Sequence, residues 1–248
     1  VGTATKDEVT LDKATVAFEP FVLDGGRITW APDFGQLGKE SYPLAVAAVQ
    51  KEMEMMCVAF PCRTLEINGL VDPRSSMMLN YVDVLAAAGN SRPSVYGSTF
   101  VEPAWFSFMT DNMTVYAQPG ERLKFTAGPS ARRKRMLLLN VPESTGDQLV
   151  RIGRGFDVDT TPRILTTYLQ AARDMWRLDE SRIAFFGSHG IRNDRVDQLH
   201  SLSAASLRKA EDALENRRYD EYADEARRAL SLEIRAYPDV LGMANDVV

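Results

Sequence analysis

The hydrophobic rhythm of this chain changes along its length. Up to about residue 160 the apolar residues come in short runs broken by turn residues. From 161 onward they recur every three or four positions, the spacing of one helix face. In the first forty residues "ATVAFEPFVL" and "GRITWAP" are β-rich and flank Asp24-Gly25-Gly26, which predicts a strand, a tight turn and a second strand. "SYPLAVAAVQKEMEMM" (41–56) reads as a helix, with Ser41 as cap, Pro43 in the first turn, and Lys51 and Glu52 interrupting its apolar face. "RTLEINGLVD" alternates like a strand. "SSMMLNYVDVLAAAGN" (75–90) reads as a second helix closed by Gly89-Asn90, and "SVYGSTFV" as another strand. This order predicts an α/β layer with some parallel pairing.

Between 101 and 152 the pattern is β. "TVYAQPGERLKFTAG" gives two strands around Gln118-Pro119-Gly120-Glu121, and "KRMLLLNV" gives a third; three antiparallel strands of this kind suit a sandwich module. "GRGFDVDTTPRIL" marks a boundary, with a helix predicted from Thr161 as cap and Pro162 as first residue to Gly187 or Gly190. Residues 193–238 then predict two more helices. Leu199, Leu207, Ala210 and Leu214 line the first. Tyr219, Tyr222, Ala226, Ala229 and Leu230 line the second, in a single hairpin of tetratricopeptide-like spacing. In "LEIRAYPDVLGMANDVV" (232–248) Pro238 reads as the opening of a further helix. That open ending, and Val1 in place of an initiator Met, lead to the expectation of a piece cut from a longer protein. The expected class is α+β, a mixed α/β layer plus antiparallel strands over 1–155, followed by a C-terminal helical hairpin or bundle over 156–248.

Composition changes this picture little. Hydrophobic residues at 45% and charged residues at 25% are ordinary for a globular chain, and the net charge of −5 argues against broad nucleic-acid binding. No apolar run approaches the roughly 18 residues that span a bilayer. Cys57 and Cys62 in "CVAFPC" are close enough for a disulfide, the alternative being two reduced, partly buried thiols. Two cysteines and two histidines spread this widely do not form a zinc site, and no cofactor is expected.

The polar loop "NGLVDPRSS" follows a strand end, where open α/β sheets place ligand contacts. Asp72 and Arg74 are therefore the leading ligand-binding candidates, with Trp105 in "VEPAWFSFMTDNM" as a stacking platform. The competing reading makes Asp-Pro a turn former and Ser75 a helix cap. His189 in "GSHGIRNDR", with Ser188 and Asp194 nearby, reads mainly as a helix end, and His200 as a surface residue. "RIGRGFDVD" lacks the spacing of a P-loop or dinucleotide fingerprint, and "ARRKR" (131–135) reads as a solvated hairpin tip.

Several stretches together, "NGLVDPRSSMMLNYVDVL", "VYGSTFVEPAWFSF", "VYAQPGERLKF", "LLNVPESTGDQLVRIGRGFDVDT" and "LSLEIRAYPDVLGMANDVV", resemble the extracytoplasmic segment of large prokaryotic membrane proteins of the FtsX-like permease or carboxypeptidase-regulatory-like kind. The resemblance covers roughly residues 64–248. It implies a non-catalytic binding or interaction module on the extracytoplasmic, periplasmic face of a cell membrane. Its partners would be its own transmembrane region and an envelope or partner protein, with a small ligand as a further candidate. It carries no catalytic residue. Two alternatives remain. One is a carbohydrate-active or other hydrolase pairing carboxylates among Asp72, Glu102, Asp157 and Asp159. The other is a cytosolic helical-hairpin scaffold, which expects reduced cysteines.

Overall fold

The computed structural model describes residues 16–18, 21–32, 44–46, 58–100, 111–142 and 153–243. Strands β1 (Val16–Phe18), β2 (Val22–Asp24), β3 (Arg27–Pro32), β4 (Leu44–Val46) and β5 (Ala59–Pro61) open the chain. β1 pairs antiparallel with β4, and β2-β3-β5 form a small antiparallel sheet. The predicted turn closes the β2–β3 hairpin. Gly25 and Gly26 have φ of 53° and 77° between the paired Asp24 and Arg27, a conformation that costs glycine nothing. The helix expected over 41–56 is contradicted where it is described, because Leu44–Val46 is strand β4; the rest lies outside the described residues.

Two larger sheets follow. β6 (Arg63–Ile67), β8 (Tyr96–Phe100), β9 (Met113–Ala117) and the short β13 (Arg163–Ile164) run in the order β13-β6-β9-β8. β13 lies parallel to β6, and the other neighbours are antiparallel. In the second sheet β10 (Arg122–Gly128) is central. β7 (Tyr81–Ala86) covers one edge, while β11 (Met136–Leu138) and β12 (Phe156–Asp157) share the other. Thus the helix expected over 75–90 is a strand. Val82 and Val84 point into the core, Asp83 points away from it, and this period of two with β-branched residues overrides the alanines that follow. Ser75 caps no helix there. The chain pairs β9 with β6 and β8 but β10 with β7 and β11, so Gln118–Glu121 is a corner between sheets and β9–β10 is no hairpin. Gly155 lies in the corresponding close approach: a Cβ there would sit 2.8 Å from that of Ala87.

Among the described residues three helices complete the α+β fold: α1 (Thr167–Ser188), α2 (Asp194–Glu215) and α3 (Tyr219–Met243). α1 begins later than expected, because Arg163–Ile164 is drawn into β13; Thr166, not Thr161, holds the cap position. α2 starts under Asn193, whose side chain accepts the amides of Arg195 and Val196. The α2–α3 pair is the expected hairpin. Ala210, Ala213, Ala226 and Ala229 are buried between the two helices, and the Ser203 hydroxyl donates to the Ala229 carbonyl across the gap. Pro238 opens no new helix but lies inside α3, which runs on to Met243. One hydrophobic core joins the sheets to the helices, running from Leu65, Val84, Val115 and Phe125 through Leu169 and Met175 to Leu207, Leu230 and Ile234. Each such side chain fully buried contributes about 1.5–3 kcal/mol.

Candidate functional site

The end of β6, the start of α1 and the start of α3 meet on one side of the molecule. β13 brings them together: the Glu66 amide donates to Pro162 O and the Asn68 amide to Ile164 O, so the chain entering α1 is sewn to β6 and to Asn68 just after it. Thr167 then bonds back to Ile164 O through its hydroxyl, which leaves Tyr168 in the first helical turn beside Asn68. Facing them, Tyr222 and Arg227 come from the first turns of α3. Between these elements opens a cleft of about 240 Å³ lined by Asn68, Leu165, Tyr168, Tyr222, Ala226 and Arg227, among others. Two tyrosine rings and the exposed Leu165 form its apolar walls.

Its electrostatics are mixed. The Arg227 guanidinium lies 5.9 Å from the centre of the Tyr168 ring, a cation–π arrangement, and the residue is exposed. The Tyr168 phenol is held above its ordinary range first by burial, against the pull of Arg227, and further by the charges of Asp111 and Asp72. Asp72 is not part of the cleft lining and bears on it through its charge. It is itself buried, with Oδ1 accepting the Arg74 amide at 2.9 Å and Oδ2 lying 3.9 Å from Arg135 Nε. Those contacts make it the holder of the turn 72–76, and the Arg74 side chain is exposed outside the cleft lining. Asn68 and Gly69, which belong to the same polar loop, are the residues that reach the cleft. Trp105 and Cys57 lie outside the described residues. Cys62 has a free, fully buried thiol that burial, opposed by Arg63, pushes up to about 11.

The carboxylates proposed for hydrolysis are engaged elsewhere. Asp157 pairs with Arg122 and accepts the Asp159 amide, and Asp159 takes Arg63 Nε at 3.1 Å and the Gly120 amide at 2.7 Å. Both sit at the Arg122 end of β10, whereas Asp72 is held through Arg135, whose amide bonds to Ala127 near the other end. Glu102 lies outside the described residues. His189 bonds the Phe185 carbonyl and approaches Ser188, closing α1, while Asp194 is the first residue of α2. In the basic run, Lys134 pairs with Asp83 and Arg135 with Asp72, leaving Arg132 and Arg133 exposed at the tip.

His200 is the main correction. It is buried, not a surface residue, and its ring stacks on Trp176 with centroids 4.8 Å apart. The signal was present in the sequence: Val196, His200, Ser203, Leu207 and Ala210 recur at alternating steps of four and three, so His200 lies on the inward stripe of α2. Asp179 in α1 and Glu233 in α3 lie on the inward stripes of their helices and are fully buried. Among the described residues no cluster of His, Cys, Asp or Glu is arranged to hold a metal ion, and no described helix is long and apolar enough to cross a membrane.

No family model, curated protein or solved structure matches this chain.

Proposed function

We propose that the chain is a non-catalytic binding module whose recognition site is the Tyr168–Arg227 cleft. It takes a small acidic ligand, or an acidic side chain of a partner segment. The apolar part of the occupant lies against Leu165 and the tyrosine rings, and its negative charge meets Arg227. The observation that carries this reading is the cleft itself: apolar and aromatic walls with a guanidinium at the rim, formed where three elements converge. A volume of about 240 Å³ suits one small ligand or an inserted side chain rather than an extended polymer. The resemblance to FtsX-like permease segments supports placing the module on the extracytoplasmic face of a membrane, with the helical pair α2–α3 conveying contact toward the membrane-embedded part.

Benzoate and short dicarboxylates are suitable probes. Titrated into labelled protein, they are expected to shift the amide resonances of Asn68, Tyr168, Tyr222 and Arg227. Arg227→Glu should remove the response while leaving the melting temperature within about a degree, since a surface charge change costs little. No shift at these residues up to millimolar probe would sink the cleft as an acid-binding site. The membrane placement is tested separately. An apolar stretch of about 20 residues soon after Val248 in the full reading frame would support it, and a polar continuation would remove it.

A further inference from the structure

The three helices meet at a group of charged side chains that the cleft does not use. From α1 come Asp179, Glu180 and Arg182; from α2, His200; from α3, Glu233 and Tyr237. His200 Nε2 lies 2.6 Å from Glu180 Oε2, and Nδ1 lies 3.4 Å from Glu233 Oε1. Arg182 reaches Asp179 Oδ1 at 3.2 Å and lies 5.4 Å from the Tyr237 ring centre. Trp176 covers the imidazole and donates its indole N–H to the His200 carbonyl. We propose that this group is a proton-operated clasp: a proton on the His200 imidazole ties α2 to α1 and α3 together, and its loss loosens α2 in the bundle.

The argument rests on the two ring nitrogens. An imidazolium carries N–H on both: Nε2 bonds Glu180, and the positive ring sets its charge against Glu233 without an aligned hydrogen bond; a neutral ring bonds from only one and offers Glu233 no charge. Glu180 is half exposed and turns to water when released. Glu233 has no such escape. It is fully buried, and among the described residues neither of its oxygens has an aligned hydrogen-bond donor. A buried carboxylate without a counter-charge costs several kcal/mol. Loss of the proton therefore leaves either a strained contact or an uncompensated anion, and moving α2 outward relieves both. Other ion pairs between these helices join Arg173 with Glu211, Lys209 with Glu225, and Arg195 with Asp239, and none of them includes His200 or Glu233.

The proton affinities agree with this direction. Burial pushes the His200 imidazole down, but the carboxylates of Glu233 and Glu180 on either side outweigh it and leave it above its ordinary value. Burial, then the charge of Glu233, lifts Asp179 to about 7 against the pull of Arg182. Both shifts favour the protonated form.

The chain has two histidines, so their ring resonances separate with one variant, His189→Gln. The His200 resonance should titrate with a midpoint above about 6.5. Amide protection in the middle of α2, corrected for the intrinsic pH dependence of exchange, should fall by up to about tenfold per pH unit between about 6.5 and that midpoint and level off above it. In Glu233→Gln the His200 midpoint should drop, and in His200→Gln the fall of α2 protection with pH should be shallower. A His200 midpoint at or below about 6.5 in the unmodified chain overturns the proposal. So does protection of α2 that stays constant from pH 6 to 8.5, whatever the midpoint. The unmodified chain alone gives both results, so a variant that fails to fold does not obscure the outcome.

Discussion

Asp174 shows how one side chain can join two layers of this protein. It is fully buried in α1, and its carboxylate accepts three consecutive backbone amides, Leu139 at 2.7 Å, Asn140 at 2.9 Å and Val141 at 2.8 Å, besides Gln170 Nε2. These are the amides that β11 leaves unpaired as it ends. Asp174→Ala removes the acceptor and strands three donors in the interior, so it should cost about 3 kcal/mol or more, with Asp174→Asn less damaging because its carbonyl still accepts. Urea unfolding measures both; equal stability of the alanine variant would show that water replaces the carboxylate. Cys62 offers a second test at this scale. In a Cys57→Ser chain its fully buried thiol, raised to about 11, should resist a thiol reagent at pH 8 until the protein unfolds. Fast reaction of the native chain would mean that the small β2-β3-β5 sheet opens readily.

At the scale of elements, Pro238 is the informative departure. It sits in the interior of α3, where it cannot donate a hydrogen bond back to the Ile234 carbonyl. Its side chain is exposed, so replacing it changes backbone bonding more than packing. Pro238→Ala should raise stability by about 1–3 kcal/mol, read as a higher denaturation midpoint. A lower midpoint would show that Val240 and Met243, buried beyond the proline, depend on the bend it imposes. The same residue shows why element boundaries were hard to read: a proline in a run of helical spacing reads as a start, and only packing on both sides carries a helix through it. The strands over 81–86 and 44–46 read as helix for a related reason. Alanine-rich neighbours favour helix locally, but β7 finds β10 beside it and gains a full ladder of hydrogen bonds.

For the molecule as a whole, pH sets the balance. Asp179 in the folded state, at about 7, lies well above an unfolded aspartate near about 3.9, so its contribution is complete below about 4 and is lost as the pH rises toward 7. His200, raised above its unfolded value near about 6.5, contributes fully below that value and loses its contribution as the pH rises through the folded one. The two shifts act in the same direction. Melting temperature should therefore fall between pH 5.5 and 8, and Asp179→Asn should flatten the lower part of that fall and be the more stable chain at pH 8. A native melting temperature that rises over this interval would contradict the burial of both groups.

The sequence by itself determined the class of this protein, the Asp24–Arg27 hairpin, most of the later strands, and the three helices with the α2–α3 pair. Each depends on local rules: alternation, turn glycines, and apolar residues every three or four positions. It also carried His200, Asp179 and Glu233 on the inward stripes of their helices, although a charged residue alone suggests solvent. What only the tertiary structure decided was the partner of each strand and the neighbours of each charge. Whether β9 turns back on β10 or crosses to another sheet depends on pairing energies between residues far apart in sequence. The cleft follows the same rule: Asn68, Tyr168 and Arg227 share no sequence motif and meet only because β13 aligns with β6 and the common core draws α3 against α1.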